Sequence, residues 1–283
     1  MSHPILLVVV ADGLLSLMDA LIKLLTARYP LFQIVWLRFS FGLLGAALLL
    51  ALMRPGWPGR ETIVFNATRS LLVVVVATTF FYALSVLPLA EAIALSFVSP
   101  LFMVLFGVLL LGERIDSRIG IALAAGLAGM LLIAGARIGD ASYSSAAWLG
   151  ALAAVTSAMA YGLVMVLLRA RATRDPLPTI VFFQNLGPSL ILALPAAYVW
   201  VPLAAYDVAL FGLIGAIGVA GHYLLARAFA RADAARLAPI TYVSLVWGTL
   251  FGYLFFAEFP TASALAGAAL IVVGTLAAQR KTS

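Results

Sequence analysis

The run Val98-Ser99-Pro100-Leu101-Phe102-Met103-Val104-Leu105-Phe106-Gly107, which leads to Glu113, returns later as Val243-Ser244-Leu245-Val246-Trp247-Gly248-Thr249-Leu250-Phe251-Gly252, which leads to Glu258 at the same interval. In this register Ala83, Ala90, Ala124 and Gly129 meet Ala228, Ala235, Ala269 and Gly274. The second half of the chain therefore repeats the first. Each copy holds an odd number of lipid-length segments, so the second copy must enter a bilayer from the opposite side. That is the logic of an inverted repeat, an architecture of many secondary transporters.

Composition supports the bilayer. Of 283 residues, 65% are hydrophobic and 10% charged, with a mean hydropathy of +1.15. A soluble domain is roughly half apolar and about a quarter charged. The net charge of +6 is spread thinly over loops, which argues against nucleic acid as a partner. Cysteine is absent, which excludes disulfides and thiolate metal sites. No phosphate-cradling loop of the Walker type is present, and no cofactor is implied. The first residues lack the basic start of a cleaved signal and carry Asp12 and Asp19 within the apolar run.

The sequence predicts an all-α integral membrane protein of ten transmembrane helices, arranged as two inverted five-helix repeats over residues 1–140 and 141–283. A span needs about 20 apolar residues. The expected spans are Pro4–Leu25, Leu31–Met53, Ala67–Leu87, Ala92–Leu111, Arg118–Ala136, Ala147–Leu168, Thr179–Trp200, Val208–Arg227, Leu237–Phe256 and Thr261–Gln279. With both termini cytoplasmic, the inner loops and ends hold Arg54, Arg60, Arg69, Arg114, Arg118, Arg169, Arg171, Arg174, Arg227, Arg231, Arg236, Arg280 and Lys281. The outer loops hold only Arg28 and Arg137, as the positive-inside rule requires.

Tyr82-Ala83-Leu84, Pro100-Leu101-Phe102 and Leu110-Leu111-Gly112-Glu113-Arg114, together with Leu37-Arg38-Phe39, resemble the drug/metabolite transporter superfamily in its ten-helix, EamA-type exporter branch. The likeness covers nearly the whole chain. It departs in the second copy, where Ala257-Glu258-Phe259 stands for Gly112-Glu113-Arg114. Within the branch the chain is most similar to bacterial exporters of aromatic and other neutral amino acids. The resemblance implies export of small metabolites by alternating access without ATP, in a bacterial inner membrane. It implies a small-molecule substrate, a lipid surround and a monomer or loose homodimer.

Charges inside a span cost about 2.5–3.5 kcal/mol each on insertion scales and are site candidates. Asp19 and Arg38 fall at one depth, about 9–10 Å below the outer boundary at 1.5 Å per residue. Lys23 shares a helix face with Asp19. The three form a candidate cluster in which Arg38 faces a carboxylate and Asp19 an ammonium. The plainer reading is a salt bridge locking the first two helices, with Lys23 reaching the headgroups. The second copy sets Gln184 opposite Arg38, and Ala160 and Tyr161 opposite Asp19 and Ala20, so the charged pair is replaced by neutral groups. Tyr82, Phe97, Ser99, Tyr161, Gln184, His222, Tyr242 and Trp247 complete the expected substrate-binding set, with the cavity near Trp247. Their rings suit an apolar or aromatic solute, and helix packing is the alternative reading for each.

His222 and Asp12 are equal candidates for moving a proton. Glu91 and Glu258 are expected at the outer surface with no special role, and Glu113 as a cap or pin at the inner one. Gly212, Gly215, Gly218 and Gly221 predict close helix approach. Pro100, Pro188, Pro195 and Pro239 predict kinks. Export of cationic drugs is the competing transport reading. An intramembrane enzyme is the competing reading from another class, but one buried His and no Cys supply no catalytic constellation.

Overall fold

A computed structural model describes residues 3–115, 117–135, 144–258, 266, 269 and 270. Every described secondary element is helical. Helix α1 spans Pro4–Thr26, α2 Leu31–Met53, α3 Arg60–Val86, α4 Leu89–Ser96, α5 Ser99–Leu111 and α6 Ser117–Gly135. Then follow α7 (Ser145–Ala172), α8 (Leu177–Tyr198), α9 (Ala205–Phe229), the short α10 (Ala234–Leu237) and α11 (Ser244–Phe256). A 3-10 turn over Ala238–Val243 joins the last two. Helices satisfy their own backbone groups, which lipid cannot do. Seven stretches among the described residues are long and apolar enough to cross a membrane, with Ala234–Phe256 counted as one. On α2, Leu44, Leu48 and Leu52 are exposed at four-residue spacing, while Arg38, Phe39, Gly42 and Ala46 are buried. This is a lipid face opposite a protein face.

Three expected spans need correction. The third begins at Arg60, not Ala67, so Arg69 lies inside α3 and is buried instead of joining the inner loop charges. The polar side chains Thr62, Asn66 and Ser70 recur every fourth residue on its buried face. Two of them bond within the helix, Asn66 Nδ2 donating to the Thr62 carbonyl at 2.8 Å and Ser70 Oγ to the Asn66 carbonyl at 2.8 Å, while Thr62 Oγ1 donates across to Asp175 Oδ1 at 2.9 Å. The expected fourth span is broken between Ser96 and Ser99. Pro100 has no N–H for the preceding turn, so it opens α5 instead of continuing α4. The expected ninth span is also broken, and Pro239 sits in its 3-10 turn. By contrast α8 runs through both Pro188 and Pro195. The expected tenth span lies outside the described residues, save for 266, 269 and 270.

The helix packing has a pattern. Helix α1 packs on α9 and α3 on α7; α2 packs on α9 and α3 on α8; α5 packs on α7 and α11 on α1. Helix α2 packs on α8. The two ends of the bundle follow from side-chain bonds. Tyr29, just beyond α1, donates through Oη to Asp207 Oδ2 at 2.7 Å at the start of α9, and Arg28 pairs with the same carboxylate at 3.2 Å. Arg169, near the end of α7, donates to the Phe229 carbonyl at 2.7 Å at the end of α9. The Lys23–Arg28 region and the Arg169 region therefore lie at opposite ends of a 25-residue helix.

The glycines of α9 do not all serve alike. A Cβ at Gly215 would stand 2.6 Å from the Phe41 backbone carbon and 2.7 Å from the Gly42 nitrogen, whereas one at Gly212 would meet only a ring carbon of Phe41 at 4.0 Å. Gly215→Ala is expected to destabilise by about 1–3 kcal/mol, since backbone cannot step aside. Gly212→Ala should be close to neutral. Thermal unfolding in detergent checks the pair, and equal melting shifts would remove the close approach as the cause.

Candidate functional site: a charged cavity between the helices

Asp12, Ser16 and Asp19 follow one another at helical spacing and line one side of a cavity of about 180 Å³. That is far above the ~10–15 Å³ that admits one water, so the space is of solute size. Arg38, Tyr161, Gln184 and His222 line it as well. Phe39, Phe80, Phe81 and Phe97 supply aromatic wall, and Ser96, Ser99, Ser157, Thr241 and Ser244 supply hydroxyls. Both helix breaks, at Ser96–Ser99 and at Thr241–Ser244, thus face this space.

Arg38 is 3% exposed. Its Nη1 donates to Asn185 Oδ1 at 3.2 Å, and its guanidinium lies 4.1 Å from the ring centre of Phe39. Nη2 approaches His222 Nδ1 at 3.4 Å. That same Nδ1 stands 2.7 Å from the Gly218 carbonyl, the geometry of a proton held on Nδ1 and donated to the oxygen. With that tautomer the Arg38 approach joins two donors, and the guanidinium keeps N–H groups for an anion in the cavity. No ion pair within 4 Å joins Arg38 to Asp19 among the described residues, so the plain salt-bridge reading of that pair does not hold. Asp12 is 5% exposed, and its Oδ2 has no hydrogen-bond partner among the described residues. The cavity therefore offers two carboxylates and one guanidinium, none of them neutralised by direct pairing. Behind Gln184 stands Arg69, whose Nη2 donates to Gln184 Oε1 at 3.1 Å.

Of the residues expected from sequence, Asp19, Arg38, Phe97, Ser99, Tyr161, Gln184 and His222 meet at this wall. Lys23 does not join Asp19 and Arg38. It donates to the Leu87 carbonyl at 2.8 Å and pairs with Glu258 at 3.0 Å. Trp247 does not line the cavity either: its Nε1 donates to the Val9 carbonyl at 3.2 Å, and its ring fills the space over Gly13. Tyr242 is fully buried behind Phe97, edge to face at 5.2 Å. Tyr82 is partly buried in α3 and is not among the lining residues. Asp12, Ser16, Ser157 and Arg69 were not in the expected set. The spacing of Asp12, Ser16 and Asp19 was a usable signal, as was the polar stripe of α3.

The EamA-like transporter family matches residues 3–135 and again 148–278. The chain is 33% identical over 285 residues to the pseudopaline exporter of Pseudomonas aeruginosa, covering 98% of this chain and 95% of that one. It is 26% identical to the S-adenosylmethionine uptake transporter of Rickettsia bellii, over 91% of this chain and 87% of that one. It is 32% identical to the riboflavin transporter of Rhizobium johnstonii, over 80% and 72%. A solved crystal structure superposes with a TM-score of 0.77 at 25% identity, covering 97% of each chain. The chain belongs to the EamA-like transporter family, within the drug/metabolite transporter superfamily. It is a multi-pass membrane transporter of small metabolites. These relatives do not single out aromatic amino acids as the solute.

Proposed function

We propose that the protein exports zwitterionic metabolites bearing an amino-acid group and an apolar or aromatic portion, by alternating access across the bacterial inner membrane. The observation that carries this reading is the cavity wall, where the Arg38 guanidinium faces the same space as the Asp12 and Asp19 carboxylates. A solute carboxylate is complementary to Arg38 and an ammonium to Asp19, while Phe80, Phe81, Phe97 and Tyr161 suit an apolar portion. A cationic drug brings no acceptor anion to the Arg38 N–H groups that face the cavity, and donors left without a partner in a bilayer-embedded site are costly, which disfavours multidrug export.

Alternating access draws support from the fold. The α1–α9 contact is matched by α3–α7, α2–α9 by α3–α8, and α1–α11 by α5–α7. These are the partners expected if two five-helix repeats, 1–140 and 141–283, are related by a two-fold axis in the membrane plane. The family's double match to the two halves favours the same reading. The basic residues at the Arg169 end favour placing that end, and both termini, in the cytoplasm.

Efflux from proteoliposomes tests the proposal. Saturable flux is expected for an amino-acid-type zwitterion, and little for its decarboxylated or deaminated analogue. Flux of hydrophobic cations alone, or lipid turnover with no flux, overturns it.

A further inference from the structure

We infer that Glu113 and Glu258 are paired latches, each holding shut one end of the bundle by gripping the broken segment of the other half. The two glutamates occupy equivalent places in the repeated stretch. Each follows a residue in the left-handed region, Gly112 at φ 66° and Ala257 at φ 52°. Each donates its own N–H back to a glycine carbonyl, Glu113 to Gly107 at 3.2 Å and Glu258 to Gly252 at 3.1 Å. This turn folds the carboxylate back across its own helix. A Cβ at Gly107 would stand 2.7 Å from Glu113 Oε2, and one at Gly252 would stand 2.9 Å from Glu258 Oε2. Both glycines are thus the floor on which a carboxylate rests.

From there each carboxylate crosses to the opposite half. Glu113 accepts from the Ala234 N–H at 3.0 Å and from the Ala235 N–H at 2.8 Å, at the head of the broken segment that leads to Ser244. Glu258 accepts from the Leu89 N–H at 3.1 Å, at the head of the broken segment that leads to Ser99. Each has a basic companion, Arg169 at 4.0 Å from Glu113 and Lys23 at 3.0 Å from Glu258. Lys23 adds a second hold on the same joint through the Leu87 carbonyl. The two grips lie at opposite ends of the molecule, and both gripped segments run to the cavity wall. Charge-assisted bonds to backbone N–H are strong when dry and are lost when the joint parts and water enters. Release of Glu258 frees the Lys23 end, and release of Glu113 frees the Arg169 end. The glutamates act as positioning residues and do not touch the solute.

The inference rests on the alternating-access reading, and the absence of native cysteine allows a test that separates the two. Ser16→Cys places a reporter on the cavity wall, labelled by a membrane-impermeant maleimide applied to one face at a time. In this background Glu258→Ala is expected to raise labelling from the Lys23 face roughly tenfold and to lower it from the Arg169 face. Glu113→Ala should do the reverse, and Glu→Gln at either position should fall between. Size-exclusion profiles and melting curves confirm that the variants are folded. Labelling that rises from the same face in both variants, or that changes in neither, overturns the latch. A parent reporter labelled from one face only overturns alternating access instead. The latch then stands or falls on whether loss of the glutamate at that face raises the rate.

Discussion

Arg38→Ala is expected to lower kcat/KM for the transported zwitterion by roughly 30- to 5,000-fold, the equivalent of about 2–5 kcal/mol for losing one partner of a buried charged contact. Three features make the effect large. Among the described residues Arg38 is the one guanidinium on the cavity wall, since Arg69 stands behind Gln184. It is held in place by Asn185 and the Phe39 ring, so its donors are pre-aimed. It also balances two carboxylates in the same space, and its loss leaves Asp12 and Asp19 with no cation on that wall. Arg38→Lys should recover only part of the loss, because an ammonium lacks the planar fork that matches a carboxylate. The check is uptake kinetics in proteoliposomes, with the amount of inserted protein measured in parallel. Flux at the parent rate with normal insertion would assign Arg38 to packing alone.

Asp19 and Arg38 were legible in the sequence because depth can be counted along a helix, and both count to the same level. The repeated stretch through Glu113 and Glu258 was legible because a shared turn needs shared residues. What the sequence could not supply was azimuth, meaning which neighbour each helix face meets. Lys23 shares a face with Asp19 on α1, yet its stem runs to Glu258, which lies 235 residues away. Trp247 sits at a depth that suits the cavity, but its ring turns to α1 and packs over Gly13. Arg69 was hidden for a different reason. Hydropathy alone starts the third helix late, since Arg60, Glu61, Thr62 and Asn66 weaken the apolar signal before Ala67, although Thr62 and Asn66 continue to Ser70 at one spacing. Their four-residue spacing is what a buried polar face of a helix leaves in a sequence. The helix breaks beside Ser99 and Ser244 were half legible. Pro100 and Pro239 announced a disturbance, but Pro188 and Pro195 announced the same within α8, which runs on.

Asp19→Asn is expected to cut kcat/KM roughly 100-fold for a solute carrying an α-ammonium, and to do little for the matching solute in which a hydroxyl replaces that group. The two carboxylates of α1 stand in different surroundings. Asp19 is partly exposed to the cavity and has no hydrogen bond or ion pair among the described residues, so its oxygens are free to receive a cation from the solute. Asp12 lies two turns away on the same face and is more deeply buried, with its Oδ2 inaccessible and without a hydrogen-bond partner among the described residues. A mutation that merely disturbed α1 would slow both solutes alike. A lost contact between Asp19 and an ammonium slows only the solute that has one, because the hydroxyl analogue never made that contact. The ratio of the two losses is therefore the measure of the contact itself, in the manner of a double-mutant cycle with the solute as one partner. Initial rates for the two solutes in parent and Asp19→Asn proteoliposomes give that ratio. Equal losses for both would move the ammonium from Asp19 to another group on the wall, with Asp12→Asn as the next variant to measure by the same ratio.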